Sequence, residues 1–424
     1  MHLFRNLPLK RPAQTTGLPF IHMASRALPL CVVAVGIGSL TAQTQDPNAY
    51  TDPATGHRVV RLSRVEGKGS SVLYFHQNVY TAAGDKMVFH HDDAPSGQSL
   101  YSLDITDSAQ LGNGKTALLV DAKRLPGFQV VGPKSREVFY IDDGRIDATN
   151  LDTRKTRTIA TLPSDWDFAT QSITGLTLNS DETLLAGADT PGAGDISDRA
   201  KQSGGIKQNQ IDATFDAHLP TFLFTVDVRT GKINVILKGQ DWFDHVQFSP
   251  TDPTLLMFAH EGPWKQVDRI WLIRADGTGL VNFHPRTNPN ESIGHEFWDP
   301  GGRMVWYDDA DGKTRSLVGQ DLATGKQLRY RLQSEQLSVH YNISHDGKLF
   351  AGDGATYDHN TDPMVQLLIP QPDGTLRSEK LASMKDNDYK KCEPNVRFSP
   401  DDQWVIYTST QSGQKEVYAA RVAK

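Results

Sequence analysis

A short turn rich in Ser, Pro, Asp and Gly recurs seven times along this 424-residue chain, each time between two apolar segments. The seven turns begin at Tyr80, Val131, Leu178, Phe248, Trp298, Ile343 and Phe398. Further strand-like segments and Gly-containing hairpins follow, and we find no long helical period. Repeats of roughly 45–70 residues with about four strands each are typical of propeller blades. The repeat therefore predicts an all-β fold, a seven-bladed β-propeller.

The two ends of the repeat region predict how the ring closes. The last repeat, Glu393–Lys424, is one strand short, and an early strand-like segment, His57–Arg64, belongs to no repeat. Pairing the early segment with the last repeat would remove two exposed sheet edges. We therefore expect residues 43–424 to form one propeller domain closed by His57–Arg64, with a long polar loop from about Pro191 to His218 inserted on one face.

The N-terminal 42 residues predict export. Ala27–Leu40 is apolar, follows Arg26 and is too short to span a bilayer. Small residues after it indicate a signal peptide cleaved near Ala42, and Met23 is an alternative start. We expect a periplasmic or secreted mature protein with no stable membrane insertion after signal removal. The formal net charge of −6 without a basic run argues against nucleic-acid binding.

The repeat register selects a ring of candidate site residues. Counting back five residues from the Pro of each turn, or its equivalent, gives Gln77, Phe128, Gly175, His245, His295, His340 and Asn395. Consecutive blades thus supply three imidazoles and one amide, and Glu393 lies two residues before Asn395, on the same side of a strand. A buried His can simply satisfy backbone groups, but the aligned set favours a metal or catalytic site. Mixed nitrogen and oxygen ligands suit Mn²⁺.

Three segments resemble one known family. They read HVQFSP from His245, HEGPWKQVDRIWLIRADGTG from His260 and GHEFWDPGGRMVWY from Gly294. They resemble the oligogalacturonate lyase family, polysaccharide lyase family 22, and weaker likeness extends over most of the mature chain. The resemblance implies a seven-bladed propeller that holds Mn²⁺ at the channel mouth and cleaves uronate oligosaccharides by β-elimination.

The resemblance also implies residue roles. His295 matches a metal ligand, and His245 matches the catalytic base, with His260 as its rival. The family's metal-binding HPH motif reads Glu393-Pro394-Asn395 here, and its metal-binding glutamine is Lys390. The family's substrate-neutralising arginine finds no match. We therefore assign His295, His340, Glu393 and Asn395 to the metal, which we expect to be Mn²⁺, with Ca²⁺ as the second choice.

This chemistry needs both a base and a cation. A neutral imidazole can remove the C5 proton of a uronate, while a cation on the carboxylate spreads the charge that develops. We expect an acidic oligosaccharide as the partner. Its contacts are predicted at Gln77, Lys265, Arg269 and Lys391.

Three other functions remain open at this point. A non-catalytic TolB-type propeller would bind a glycan or protein in the cell envelope, and the altered last blade favours it. A lyase for a different uronate polymer would account for the Glu393 and Asn395 changes. A glycoside hydrolase would need two carboxylates facing each other across the channel.

Overall fold

The structure is a computed structural model that describes residues 48–93, 97–105, 108–122, 125, 128–166, 175–202, 207–354 and 362–424. The predicted signal segment, 1–42, lies outside these residues, so its cleavage stays a prediction. None of the described helices is long and apolar enough to cross a bilayer.

The strands are numbered along the chain and grouped into seven blades. The first two are β1 (Ala49–Thr51) and β2 (Arg58–Arg61). Blade 1 comprises β3 (Ser70–Val72), β4 (Lys86–Asp93), β5 (Gly97–Asp104) and β6 (Thr116–Ala122). Blade 2 comprises β7 (Val130–Gly132), β8 (Glu137–Asp142), β9 (Arg145–Asn150) and β10 (Thr156–Thr161). Blade 3 comprises β11 (Thr177–Leu178), β12 (Leu184–Asp189), β13 (Thr221–Asp227) and β14 (Ile233–Gly239).

The remaining blades follow the same order from the inside outward. Blade 4 comprises β15 (Trp242–Phe248), β16 (Leu255–Glu261), β17 (Ile270–Arg274) and β18 (Val281–Asn282). Blade 5 comprises β19 (Ser292–Trp298), β20 (Met304–Ala310), β21 (Arg315–Asp321) and β22 (Gln327–Arg331). Blade 6 comprises β23 (Tyr341–Ile343), β24 (Phe350–Gly352), β25 (Met364–Pro370) and β26 (Leu376–Ser383). Blade 7 contains β27 (Arg397–Phe398), β28 (Trp404–Ser409) and β29 (Glu416–Arg421).

The early strand closes the ring as the sequence predicts. β2 pairs antiparallel with β29, where Val60 lies opposite Ala419, and β1 adds a fifth strand outside β2. The seven-bladed propeller is confirmed, and the outermost strand β1 is an addition that the repeat did not predict. The core lies between blades, because both faces of each sheet carry buried apolar side chains. Tyr307 of blade 5, for example, packs with Met257 of blade 4.

The insertion in blade 3 is helical rather than a polar loop, which corrects our expectation. It contains α1 (Ala193–Gln202) and α2 (Lys207–Asp216), between β12 and β13. Ile211 and Thr214 of α2 are buried. The aromatic ring of Phe215 lies 6.3 Å from that of His260. This contact packs α2 against the end of β16.

One short segment fills the middle of the channel. This plug segment, Tyr74–Gln77, follows β3 and is held by Arg397 of β27, which donates hydrogen bonds to three carbonyl groups in and beside it. The Tyr74 ring stacks on Phe128 with centroids 4.6 Å apart. Phe75 contacts residues of blades 5, 6 and 7. The plug segment therefore forms the floor against which the candidate site is built.

Candidate active site

Four of the seven residues at the predicted ring position have a positive φ angle. The φ angles are 110° at Gly175, 49° at His245, 46° at His295 and 53° at Asn395. In blades 4 and 5 a β-bulge accompanies this conformation, because two consecutive residues of the inner strand lie opposite one residue of its neighbour. Bulges re-aim side chains and are often found beside active sites. Here they turn His245 and His295 toward each other.

Three imidazoles from consecutive blades meet above the plug segment. The ring centroids of His245 and His295 are 6.4 Å apart, and those of His295 and His340 are 4.8 Å apart. Phe75 lies 4.9 Å from the ring of His340. All three histidines are at least nine-tenths buried. The structure therefore brings together the three histidines that the repeat register selected.

The two nitrogens of His245 have different partners. Nδ1 lies 3.0 Å from Oε1 of Glu296, and Nε2 lies 3.2 Å from the hydroxyl of Tyr74. Nη2 of Arg269 also lies 3.2 Å from Nδ1. An ionised carboxylate can only accept a hydrogen bond, so in the neutral imidazole the pairing with Glu296 places the proton on Nδ1 and the lone pair on Nε2. This arrangement leaves the basic nitrogen facing the plug segment and the channel.

A buried charge network surrounds Glu296. Its second oxygen accepts a hydrogen bond of 2.8 Å from Nε of Arg269, and Nη1 of Arg269 donates to Glu261, also at 2.8 Å. Burial alone would raise the pKa of Glu296, but Arg269 and His245 lower it well below its usual range. Burial lowers the pKa of His245, and the charges of Glu296 and Asp244 outweigh this and raise it. The network therefore holds an ionised carboxylate behind the imidazole.

Carboxylates also support the other two histidines. Nδ1 of His295 lies 3.3 Å from Oδ1 of Asp308, and Nδ1 of His340 lies 2.9 Å from Oδ2 of Asp353. Metal-binding histidines usually hold their second nitrogen in this way. Nε2 of His340 is buried without a hydrogen-bond partner in the described part of the chain, and it lies 3.8 Å from Oε2 of Glu393. Two imidazoles and one carboxylate are a donor set that suits a divalent cation.

Asn395, a predicted ligand, is close to this set, and its amide forms hydrogen bonds with two other groups in this structure. Its Oδ1 accepts a hydrogen bond of 3.2 Å from the backbone N–H of Phe75. Its Nδ2 donates to the carbonyl oxygen of Glu393 at 3.1 Å. Asn395 thus anchors the plug segment to blade 7 in this structure.

Two predicted substrate contacts, Arg269 and Gln77, are buried in this structure. Arg269 is 2% exposed, with its guanidinium bound by two carboxylates. Gln77 is 4% exposed and lines a cavity of about 610 Å³ that lies among the turns at the other end of the channel. Neither side chain is placed to contact a substrate at the histidines. The burial of Arg269 and the position of Gln77 within the irregular plug segment could not be predicted from the repeat.

The other predicted residues lie at the edge of the site. His260 is one strand outward from His245, with Nε2 3.6 Å from Asp241, so the geometry favours His245 as the base. Lys265 is exposed in the loop after β16. Lys391 is exposed and forms an ion pair of 3.0 Å with Asp388.

A second cluster of possible metal ligands lies deeper in blade 4. Ligand atoms of Asp244, His245 and Glu261 all lie within 4.8 Å of one another, the one such group among the described residues. Glu261, however, is paired with the guanidinium of Arg269, a permanent positive charge. This positive charge opposes the binding of a cation at the cluster.

The sequence analysis missed two residues that contact His245. Tyr74 lies in the plug segment, whose course through the channel has no counterpart in the other repeats. Glu296 directly follows His295, and strict strand alternation would turn it away from the site. The bulge breaks that alternation, and the pattern of apolar residues carries no signal for a bulge.

The comparisons with known proteins identify the family of this chain. The model of the oligogalacturonate lyase family matches residues 44–424. The chain belongs to the oligogalacturonate lyase family. It is therefore a member of a family of polysaccharide lyases that act on oligogalacturonides, and its predicted class of enzyme, a carbon–oxygen lyase, is confirmed.

Individual relatives span almost the whole chain at low identity. The oligogalacturonide lyase of Pectobacterium atrosepticum is 27% identical over 412 residues, covering 88% of this chain and 96% of that relative. The oligogalacturonate lyase of Dickeya dadantii is 26% identical over 411 residues with the same coverage. A solved oligogalacturonate lyase in complex with manganese matches with a TM-score of 0.73 at 24% identity, over 89% of this chain and 96% of that one. The last match supports the fold.

Proposed function

We propose that this chain cleaves short oligogalacturonides by β-elimination, with His245 as the base and a bound divalent cation. The observation that carries the proposal is the state of His245. Its Nδ1 is held by the buried carboxylate of Glu296, and its Nε2 faces the channel beside two further imidazoles. A hydrolase with two carboxylates across the channel would not need this arrangement.

The proposed cation would be held by His295, His340 and Glu393. Three features support this set: the carboxylates behind both imidazoles, the unpartnered Nε2 of His340, and the 3.8 Å between that nitrogen and Glu393. The relative solved with manganese favours Mn²⁺, and Ca²⁺ is the second choice. When bound, the cation supplies Lewis-acid polarisation of the uronate carboxylate.

In the proposed reaction His245 acts on the carbon next to that carboxylate. Nε2 takes the C5 proton, the C4–O bond to the neighbouring sugar breaks with its electron pair leaving on that oxygen, and a C4–C5 double bond remains. The departing oxygen takes a proton from water. Glu296 then stabilises the imidazolium through the Nδ1–H hydrogen bond. The Tyr74 hydroxyl lies 3.2 Å from Nε2.

A lyase for another uronate polymer is the second candidate. It is favoured by the last blade, where Asn395 anchors the plug segment and Glu393 is the remaining donor. A non-catalytic TolB-type propeller would not require the hydrogen bond between His245 and Glu296.

An activity screen tests the proposal. The purified protein, with added Mn²⁺, is incubated with oligogalacturonides, oligomannuronates and oligoglucuronates, and unsaturated product is followed by its ultraviolet absorbance. We expect product from oligogalacturonides that disappears with a chelator and returns with Mn²⁺. Product from another polymer alone would select the second candidate, and no product from any of them would favour a binding propeller.

We also propose that the protein is exported and acts in the periplasm or outside the cell. The apolar segment Ala27–Leu40 supports this. N-terminal sequencing of protein recovered from native cell fractions should give a start near Gln43. An intact N-terminus in the cytoplasm would contradict it.

A further inference from the structure

The loop that follows β16 lies on the same face of the propeller as the three histidines. Trp242, the first residue of β15, pairs with Glu261, the last residue of β16. The loop, residues 262–268, therefore begins level with the start of the inner strand, where the chain approaches His245. Loops at this level are the parts of a propeller that surround a channel mouth.

Trp264 of this loop borders the site. The centroid of its ring lies 6.1 Å from that of His295, at an angle of 78°. Its indole N–H donates to Oε1 of Glu261 at 3.3 Å, which fixes one edge of the ring. The side chain is only partly buried, so part of its apolar surface remains available beside the histidines.

The backbone of the loop is held rigidly from two sides. The N–H of Gln266 donates to the carbonyl oxygen of Pro263 at 2.7 Å. Arg286, from the loop between β18 and β19, donates to the carbonyl oxygens of Lys265 and Gln266. Val267 is buried, and a Cβ at Gly262 would come within 2.6 Å of Phe215 in α2. A loop fixed in this way presents its side chains without an ordering cost on binding.

Lys265, next to Trp264, extends into solvent. It is exposed, and among the described residues we find no ion pair for its ammonium group. Lys391 differs, because its ammonium lies 3.0 Å from Asp388. The loop thus presents a fixed aromatic ring and an adjacent cation at the mouth of the site.

We infer that Trp264 and Lys265 form a subsite for one uronate unit of the substrate. A pyranose ring offers an apolar face that packs on an aromatic surface, and a uronate adds a carboxylate that pairs with an ammonium group. The 6.1 Å between Trp264 and His295 places this unit next to the one at the histidines. The inference rests on the proposed lyase function, and it identifies a uronate as the sugar unit that this loop selects.

Binding of digalacturonate tests the subsite without relying on turnover. The measurements use the His245→Gln protein, which keeps the sugar intact, and combine calorimetry with tryptophan fluorescence. We expect Trp264→Ala to weaken binding about tenfold, as truncation of a contact aromatic commonly does, and Trp264→Phe to weaken it less. Quenching by the sugar should vanish in Trp264→Phe and persist in the control Trp271→Phe, which removes an indole from the same blade.

The charge is tested with Lys265→Met and with methyl-esterified digalacturonate. We expect Lys265→Met to weaken digalacturonate binding about threefold at low salt, within the range of exposed ion pairs, and to leave ester binding unchanged. The control Lys326→Met, at a turn between outer strands, should bind like the parent.

The outcomes separate the subsite from the lyase proposal. Equal affinity of Trp264→Ala and its parent would overturn the subsite while leaving the reaction standing. Equal affinity for digalacturonate and its ester would overturn the uronate assignment. If the parent binds no digalacturonate although the wild type cleaves it, the subsite is wrong. If the wild type also forms no unsaturated product from it, both inferences fail.

Discussion

His245 and His295 occupy equivalent positions on neighbouring blades, but different groups surround the two imidazoles. His245 holds its Nδ1 proton on Glu296, inside a network with Arg269. His295 lies beside His340 and is supported by Asp308. Burial lowers the pKa of His295, and Asp308 only partly offsets this effect, so the neutral imidazole is favoured.

The two histidines can be separated by mutation. We expect His245→Gln to reduce kcat by about 10²–10⁴-fold, the usual contribution of a general base, with bound metal unchanged. His295→Ala should lose bound metal and activity together. Metal content by plasma mass spectrometry, measured beside kcat, decides this. Loss of metal from His245→Gln with retention by His295→Ala would mean that the two roles are reversed.

At the residue scale the sequence predicted the histidines but not their partners. The register of the repeat selected His245, His295 and His340 because each inner strand ends in a recognisable turn. Arg269 was assigned to the substrate because burial cannot be read from a lone cation between apolar residues. Its carboxylate partners come from β16 and β19, which only the folded sheet brings together.

The Arg269 network also predicts a stability difference. Arg269→Met would leave the carboxylates of Glu261 and Glu296 buried without their cation, which should cost about 3–5 kcal/mol of unfolding free energy. Arg274→Met is the matched control, because it removes a surface ion pair with Asp252 and should cost about 0–1 kcal/mol. Urea unfolding measures both. Equal losses would show that the network contributes no more than a surface pair.

At the element scale, several inner strands share a residue with a positive φ angle, and this conformation orients the side chains of the site. A non-glycine residue pays roughly 1–2 kcal/mol for this conformation, and Asn tolerates it better than most. Asn395, with φ 53°, also anchors the plug segment through the N–H of Phe75. Asn395 therefore links blade 7 to the floor of the site.

Paired substitutions at Asn395 separate the backbone from the hydrogen bonds. Asn395→Ala should lose about 1–3 kcal/mol, the sum of strain and lost hydrogen bonds. Asn395→Gly loses the same hydrogen bonds but relieves the strain, so it should be the more stable of the two in chemical unfolding. A less stable glycine variant would show that left-handed strain does not act at this position.

The two helices of blade 3 were not predicted from the sequence. α2 buries Ile211 and Thr214 and places Phe215 against the loop after β16. Two apolar residues four apart in a polar stretch are too few to reveal a helical period. Packing on the loop, rather than intrinsic pattern, stabilises this element.

At the scale of the whole molecule, closure by β2 is the feature that the sequence predicted best. Each repeat carries its own turn, so the blades could be counted, and the leftover strand had one place to pair. Val60 of β2 is fully buried in the core shared with Ile406 and Ala419. The pairing therefore joins the two ends of the chain through the core as well as through hydrogen bonds.

Two truncations test the closure. A chain that begins at Asp52 lacks β1 but keeps β2, and we expect it to fold and to melt within a few degrees of the longer chain. A chain that begins at Glu66 lacks both strands and exposes the edge of β29, so it should aggregate or lose cooperative unfolding. Thermal unfolding with light scattering records both. Normal melting of the shorter chain would mean that β2 is dispensable.

We propose that the site breaks a glycosidic bond by elimination and not by adding water. The most direct measurement is mass spectrometry of the products formed from trigalacturonate in heavy-oxygen water. We predict one unsaturated and one saturated fragment whose masses sum to that of the substrate, with no solvent oxygen incorporated during cleavage. Two saturated fragments, one of them carrying solvent oxygen from the cleavage step, would contradict the account and show a hydrolase.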